Sequence, residues 1–183
     1  MNAKKIKICG INDINILQNI INLKIDYVGF IFYEKSPRNV DEKFLKTLNE
    51  INFKKIRPVC VYVNPDEDFV YKTSSYFTDP ILQFHGNEDF SFCESFGLEF
   101  WKAIRVKTED DLESIADYSS ASGILLENHK HGEYGGTGES FNWEILKKID
   151  SSKQNLILSG GINSKNVDNA LTTNSWCIDI NSG

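Results

Sequence analysis

The sequence has no long apolar run and no excess of basic residues, and we expect no leader. No apolar run approaches the roughly 18 residues of a membrane span, and too few apolar residues follow the basic start Met1–Lys7 for a signal peptide. The formal net charge is −6, whereas binding to a nucleic-acid backbone needs a basic surface. We therefore expect neither a membrane nor a nucleic acid as a partner.

Cysteine is scarce and widely spaced, with four residues and no CxxC pair. Cys9, Cys60 and Cys177 each lie in or beside an apolar run, which suits reduced, buried thiols. The pattern favours a cytoplasmic protein over a secreted one held by disulfides. It also contains no spacing that is typical of a metal site.

The 183 residues fit one domain, residues 1–183, in which short apolar runs alternate with longer amphipathic stretches. The apolar runs predict eight strands: Lys5–Gly10, Tyr27–Tyr33, Ile56–Val63, Ile81–His85, Phe100–Val106, Gly123–Glu127, Leu156–Ser159 and Trp176–Asn181. The amphipathic stretches predict seven helices: 12–23, 41–51, 66–75, 87–96, 108–117, 141–149 and 163–172. Strands separated by helices of this length imply parallel βαβ units.

Eight strands and seven helices are the elements of a TIM (β/α)8 barrel that lacks its last helix. The structural alternative is a doubly wound open sheet, which usually has five or six strands. The first strand is not followed by the GxGxxG motif of many such sheets. The barrel is therefore the predicted α/β fold, although typical barrels need about 200 residues or more.

Polar residues lie at the carboxyl ends of several predicted strands, and in a barrel these ends line the active site. The period of two in a strand places these side chains on its inner face. They are Cys9 on the first strand, Gln83 and His85 on the fourth, Glu127 on the sixth, and Asp179 and Asn181 on the eighth. A thiol and a carboxylate aimed at one opening form an acid–base pair.

Small residues follow the last two strands, as Ser159-Gly160-Gly161 and Asn181-Ser182-Gly183. Small residues let the backbone approach an anion, and the loops after strands seven and eight are the usual phosphate site of this fold. A helix that opens near Asn163 is expected to add its dipole. After the second strand, Arg38 offers a planar fork suited to a carboxylate.

With these residues the sequence resembles the phosphoribosylanthranilate isomerase family over nearly the whole chain. The matching segments occur in the family's order: Lys7-Ile8-Cys9-Gly10, Gly29-Phe30-Ile31-Phe32-Tyr33, Lys35-Ser36-Pro37-Arg38, Val61-Tyr62-Val63-Asn64, Gln83-Phe84-His85-Gly86, Lys102-Ala103, Gly135-Gly136-Thr137-Gly138, Phe141-Asn142-Trp143, Leu158-Ser159-Gly160-Gly161 and Asp179-Ile180-Asn181-Ser182-Gly183. Together they form a highly specific set.

The resemblance implies an Amadori rearrangement of tryptophan biosynthesis. It would convert N-(5-phosphoribosyl)anthranilate to 1-(2-carboxyphenylamino)-1-deoxyribulose 5-phosphate without a metal or organic cofactor. In the family the first-strand cysteine is the general base and a sixth-strand aspartate is the general acid, positions held here by Cys9 and Glu127. Arg38 would bind the anthranilate carboxylate. The two glycine-containing loops would bind the phosphate. Gln83, His85 and Asp179 are further expected substrate ligands.

Two features depart from the family pattern. Glu127 keeps the carboxylate but has one more methylene than aspartate, and the chain stops at Gly183, directly after the eighth strand. One alternative is thus a non-catalytic phosphosugar-binding barrel. Another is the related isomerase of histidine biosynthesis, although that enzyme uses an aspartate where this chain has Cys9. We expect a monomer or a homodimer, and a hypothesis for the base is that Lys7 favours the Cys9 thiolate.

Overall fold

A computed structural model of the chain describes residues 3–128 and 142–181. The eight strands are β1 (Lys5–Cys9), β2 (Tyr27–Phe32), β3 (Arg57–Tyr62), β4 (Ile81–Phe84), β5 (Phe100–Val106), β6 (Gly123–Asn128), β7 (Leu156–Leu158) and β8 (Cys177–Ile180). Each strand is parallel to its neighbours, and β8 pairs with β1 to close the barrel. The predicted barrel is therefore confirmed, and the open-sheet alternative is wrong.

Five α-helices and two 3₁₀ helices occupy the segments between the strands. They are α1 (Ile14–Ile21), α2 (Glu42–Leu48), α3 (Glu67–Ser74), α4 (Phe90–Glu94), α5 (Val167–Thr172), and the 3₁₀ helices η1 (Glu109–Tyr118) and η2 (Trp143–Lys148). None of the helices within these described ranges is long and apolar enough to cross a membrane. All seven predicted helices are thus present in the predicted order, although two of them have 3₁₀ geometry.

Aspartates fix where several of these helices begin. The side chain of Asp41 accepts a hydrogen bond from the backbone N–H of Phe44, and Asp66 accepts one from Phe69. Each satisfies a backbone donor that the first helical turn leaves unpaired, which stabilises a helix by about 1 kcal/mol.

Two apolar layers stabilise the barrel, one on each side of the sheet. The outer layer packs alternate strand residues such as Val28, Phe30 and Leu126 against the helices. The inner layer fills the barrel around Trp101, whose ring packs edge-on against Tyr27 at 4.9 Å between ring centroids. We call the deepest inner residues the floor: Tyr27, Ile81, Trp101, Leu125, Ile157 and Cys177.

Candidate active site

The mouth of the barrel, where the strands end, collects the polar residues that the alternation pattern predicts. Cys9 is 6% exposed and belongs to the inner layer, whereas the preceding Ile8 packs outward. The close approach of β2 makes room for the thiol, because a Cβ added to Gly29 would lie 2.6 Å from Cys9 Sγ. The predicted inward orientation of Cys9 is therefore confirmed.

Lys7 lies beneath Cys9 and is completely buried. Its ammonium donates to Asp179 Oδ2 and to Gln83 Oε1, each at 2.9 Å, and lies near the Cys9 thiol. Burial by itself lowers the pKa of Lys7, but Asp179 and Cys9 outweigh it and raise that pKa. The mouth therefore contains a buried cation that is held by a carboxylate and an amide and lies beside a thiol.

The thiol of Cys9 does not ionise easily in this environment. Burial raises the pKa of Cys9 to about 11, although Lys7 acts in the opposite direction. Lys7 thus favours the thiolate, as expected from the sequence, but the loss of hydration has the larger effect. Cys9 is consequently a thiol at neutral pH in the unliganded protein.

Glu127 faces the mouth from β6 and is 4% exposed. Its Oε1 lies 2.8 Å from His85 Nε2 and 3.6 Å from Arg105 Nε. Burial by itself raises the pKa of Glu127, but the contacts with His85 and Arg105 outweigh it and lower that pKa. Glu127 is therefore a carboxylate at neutral pH in the unliganded protein.

Gln83 connects Lys7 on one side of the mouth with His85, the partner of Glu127, on the other. Its Oε1 accepts from Lys7, and its Nε2 lies 3.1 Å from His85 Nδ1. Lys7, Gln83, His85 and Glu127 therefore form a continuous line of contacts from β1 to β6. No hydrogen bond joins Cys9 directly to Glu127 in the described part of the chain, so the two groups are related through this line.

Asp179 lies on the other side of Lys7, at 4% exposure. Burial raises the pKa of Asp179, and Lys7 opposes that shift. Its Oδ1 is buried and accepts no hydrogen bond within the described ranges. We call the six residues at the mouth the mouth cluster: Lys7, Cys9, Gln83, His85, Glu127 and Asp179.

The loop after β4, which carries His85, is held by charged residues that our sequence reasoning did not select. Arg105 Nη2 donates to the carbonyl oxygen of His85 at 3.0 Å, and Lys102 Nζ donates to that of Gly86 at 2.8 Å. Lys102 also forms a buried ion pair with Glu88 at 3.0 Å, and Glu88 accepts from the backbone N–H of Gly86. Alternation on β5 places Arg105 on the same face as Trp101, a signal that could have identified it.

Arg38 and Asn181 lie at the edge of the mouth next to Cys9. A Cβ added to Gly10 would be 2.6 Å from Arg38 Cδ and 3.2 Å from Asn181 Oδ1, so both side chains cover this glycine. Within residues 3–128 and 142–181, the guanidinium of Arg38 forms no ion pair, and Asn181 Oδ1 is buried without a partner. Both groups are therefore available to a ligand at the mouth.

Gly160 and Gly161 follow β7 with φ values of +85° and +67°, which glycine adopts without strain. The backbone N–H groups of Gly160, Gly161 and Ile162 have no acceptor among the described residues. The expected helix start near Asn163 is wrong, since α5 begins at Val167. The side-chain amides of Asn163 and Asn166 donate to the Gly161 carbonyl instead and form a turn.

The predicted phosphate ligands Ser182 and Gly183 lie outside the described residues, as does the matching segment Gly135–Gly138. No group of three or more His, Cys, Asp or Glu side chains in the described ranges is arranged to hold a metal ion. The site that can be described thus consists of the mouth cluster, Arg38, Asn181 and the Gly160-Gly161 turn.

Comparison with known proteins identifies one family. The family model "N-(5'phosphoribosyl)anthranilate (PRA) isomerase" matches residues 6–183. An N-(5'-phosphoribosyl)anthranilate isomerase of Thermoanaerobacter sp. is 36% identical over 181 residues, covering 98% of this chain and 88% of the relative. The isomerase of Legionella pneumophila (strain Paris) is 39% identical over 183 residues, covering 98% of this chain and 86% of the relative.

Solved structures agree with this result. The phosphoribosyl anthranilate isomerase of Thermotoga maritima superposes with a TM-score of 0.83 at 29% identity, covering 97% of this chain and 87% of that protein. A second solved structure is a phosphoribosyl anthranilate isomerase in complex with reduced 1-(o-carboxyphenylamino)-1-deoxyribulose 5-phosphate. It has a TM-score of 0.81 at 27% identity, and covers 98% of this chain and 88% of that protein.

Proposed function

Because the chain belongs to the N-(5'-phosphoribosyl)anthranilate isomerase family, we propose that Cys9 and Glu127 are the general base and general acid of its reaction. The chain is an isomerase of tryptophan biosynthesis. Family membership favours this function over the non-catalytic barrel and over the isomerase of histidine biosynthesis. The observation that carries the assignment of roles is that a thiol and a carboxylate from different strands face the same barrel mouth.

The reaction needs one proton donor and one proton acceptor. Glu127 donates a proton to the furanose ring oxygen, the C1–O bond breaks, and the ring opens to a Schiff base. Cys9 then takes the proton from C2, which gives an enolamine that tautomerises to the ketone. Each positioned proton transfer contributes about 10²–10⁴-fold to the rate.

The resting protonation states are the reverse of those that the reaction uses. Glu127 is ionised and Cys9 is protonated in the unliganded protein, while catalysis needs the proton on Glu127 and a thiolate at Cys9. The two forms contain the same number of protons, so the active form is a constant fraction between the two pKa values. The value of kcat/KM should therefore stay level from about pH 6 to pH 9, since the pKa of Cys9 is about 11.

Glutamate in place of the family aspartate is compatible with the acid role. A displacement of about 1 Å can reduce the rate on the order of 10²-fold unless other groups compensate. Here His85 and Arg105 both contact Oε1 and thereby hold the longer side chain in one orientation. Oε2 then remains for the substrate.

The substrate's two anionic groups find separate sites. Arg38 binds the anthranilate carboxylate through its planar fork, beside Cys9. The N–H groups of Gly160 and Gly161, which have no acceptor within residues 3–128 and 142–181, bind the phosphate together with Asn181, Ser182 and Gly183. His85 and Asp179 contact the sugar, and no metal or organic cofactor takes part. Gln83, the remaining expected substrate ligand, is 1% exposed in the unliganded protein.

The location in the cell and the assembly are further parts of the proposal. We place the protein in the cytoplasm, acting on a small phosphorylated substrate without a nucleic acid as partner. A Thermotoga maritima relative is described as a dimeric phosphoribosylanthranilate isomerase, and a monomer or a homodimer is the proposal for this chain.

One assay tests both catalytic roles. The fluorescence of phosphoribosylanthranilate is followed as it is consumed by the wild type, Cys9→Ala and Glu127→Gln. We expect each variant to lose at least about 10²-fold in kcat while it remains folded by circular dichroism. Near-normal turnover in Glu127→Gln would instead make Asp179 the next candidate for the acid, and near-normal turnover in Cys9→Ala would remove the thiol base.

A further inference from the structure

The line of contacts from Lys7 to Glu127 has a defined direction. It begins at Lys7 Nζ, which is 2.9 Å from one end of the Gln83 amide. A lysine side chain only donates hydrogen bonds, so the Gln83 atom that faces it must be the oxygen. The lysine donor therefore determines the orientation of the Gln83 amide. Without such a partner the orientation is hard to assign, because the amide oxygen and nitrogen look alike.

The orientation of Gln83 then determines the state of His85. The NH₂ group of Gln83 faces His85 Nδ1 at 3.1 Å and can only donate. Nδ1 must therefore accept, which leaves the single proton of the neutral imidazole on Nε2. A doubly protonated ring would place an N–H against the NH₂ of Gln83, with two donors facing each other.

The proton on Nε2 lies on the side of the proposed acid. His85 Nε2 is 2.8 Å from Glu127 Oε1, although the ring N–H is not in line with that oxygen and forms no regular hydrogen bond. Such bonds are often poorly aligned in unliganded enzymes and tighten when the substrate binds. The buried N–H is thus available to Glu127 and to a substrate atom beside it.

We propose that Gln83 is a positioning residue that fixes His85 as the neutral Nε2–H tautomer, so that His85 presents a donor rather than a lone pair to Glu127. The proposal rests on the proposed function, in which Glu127 is the acid, and explains how that carboxylate is oriented. A lone pair on Nε2 would repel the carboxylate oxygen and leave Arg105 as the remaining contact that orients Glu127.

The surroundings of His85 leave the ring little freedom to avoid this constraint. The residue is 8% exposed, its carbonyl oxygen accepts from Arg105, and the following Gly86 is held by Lys102 and Glu88. The charged groups that face the ring are Glu127 from β6, Arg105 from β5 and Asp179 from β8. Arg105 is the one donor among them, and its Nη2 donates to the His85 carbonyl oxygen rather than to Nδ1.

The tautomer can be measured directly in the full chain with ¹⁵N-labelled histidine. The ring signals of His85 are assigned by their absence in His85→Asn, since the chain has three histidines. In the wild type we expect a pyridine-type Nδ1 and a pyrrole-type Nε2. A pyrrole-type Nδ1 in the wild type would overturn the proposal without any variant.

Two variants at position 83 test the cause. Gln83→Glu offers only acceptors to Nδ1, so the Nδ1 signal should become pyrrole-type. Gln83→Met offers neither donor nor acceptor, so the two tautomers should mix and give intermediate signals. Gln18→Glu makes the same change on an exposed position of α1 and should leave the His85 signals as they are. Retention of the wild-type signals in both position-83 variants would overturn the proposal.

Kinetics separate positioning from a merely structural role. In Gln83→Glu we expect kcat to fall about 10²-fold, with KM within about threefold of the wild type, because Glu127 loses its orientation. A switched tautomer with unchanged kcat would contradict the positioning role. The proposed function and this inference fail in different experiments. Near-normal turnover in Glu127→Gln would contradict the acid role of Glu127, whereas the His85 tautomer is read from the NMR spectrum of the wild type.

Discussion

The floor and the mouth of the barrel are built from the same alternating positions of the same strands, yet they differ completely in chemistry. On β6, Leu125 and Glu127 both face inward, two residues apart. The same step from apolar to polar occurs on β4, at Ile81 and Gln83, and on β8, at Cys177 and Asp179. On these strands, therefore, an apolar packing residue and a polar site residue are only two positions apart.

The difference teaches where the fold gains stability and where it loses some. Each floor residue is fully or almost fully buried among apolar neighbours, and such burial stabilises the protein by about 1.5–3 kcal/mol per side chain. The mouth cluster buries two carboxylates, an ammonium, an amide and an imidazole, and such burial is unfavourable unless every charge is paired. Function thus depends on the mouth, where the burial of polar groups does not by itself favour folding.

The largest effect is expected from Lys7→Met, which removes the only buried cation of the mouth cluster. Asp179 would then keep its burial but lose its 2.9 Å ion pair, and breaking a buried pair costs about 3–5 kcal/mol of unfolding free energy. Gln83 also loses the donor that orients it, so kcat should fall at least about 10²-fold. Urea unfolding and the fluorescence assay measure the two losses.

A double variant provides the control for this prediction. Lys7→Met with Asp179→Asn removes both charges, so most of the lost stability should return while the activity stays low. If the double variant were as unstable as Lys7→Met alone, the loss would come from packing rather than from an unpaired carboxylate. The comparison of floor and mouth would then be wrong for this position.

Leu125→Ala tests the floor on the same strand as Glu127. Leu125 is completely buried in the inner layer, and truncation of such a leucine costs about 3 kcal/mol. Because no mouth contact is removed, kcat of the folded protein should change less than about threefold at a temperature well below its Tm. A loss of kcat as large as that of Glu127→Gln would contradict the separation of floor and mouth.

A smaller effect is expected from pH, through Glu127. Its pKa is lowered in the folded protein, mainly because His85 and Arg105 outweigh the effect of burial. The carboxylate therefore stabilises the fold above its unfolded pKa, which is about 4.3, and this contribution disappears as the pH falls through the lower folded pKa.

The measurement is the difference in unfolding free energy between the wild type and Glu127→Gln. The difference should be constant from pH 7 to about pH 5 and should shrink at lower pH. Glu127 contributes to the raised pKa of Asp179, so the comparison is made in an Asp179→Asn background, where that second titration is absent from both proteins. A difference that stays constant down to pH 3 would mean that no contact favours the charged form of Glu127.

Much of this arrangement could be predicted from the sequence, because a strand's period of two depends only on local geometry. It placed Cys9 and Asp179 inside, and it placed Gln83 and His85 on one face. The start of α5 could not be predicted, since it depends on how the amides of Asn163 and Asn166 reach the Gly161 carbonyl.

The pKa of Cys9 also could not be predicted from the sequence, because it depends on the folded structure. The sequence shows that Lys7 is close, which favours a thiolate, but the depth of burial is a property of the closed barrel. Glu88 was missed for the same reason, since it lies outside any strand and meets Lys102 only in the folded chain. Local patterns thus predict direction along a strand, while charge states depend on what surrounds each group.

The smallest expected effect compares two inward-facing thiols, Cys9 at the mouth and Cys177 at the floor. Burial raises the pKa of both, but Lys7 contacts Cys9, whose pKa is about 11 and whose exposure is 6%, whereas Cys177 is completely buried. Iodoacetamide should modify Cys9 first, at neutral pH about 300-fold more slowly than a free cysteine, because so little thiolate is present. The rate should rise about tenfold per pH unit up to pH 10, as peptide mass spectrometry can measure. Equal modification of Cys9 and Cys177 in the folded protein would show that the mouth gives Cys9 no greater accessibility than the floor gives Cys177.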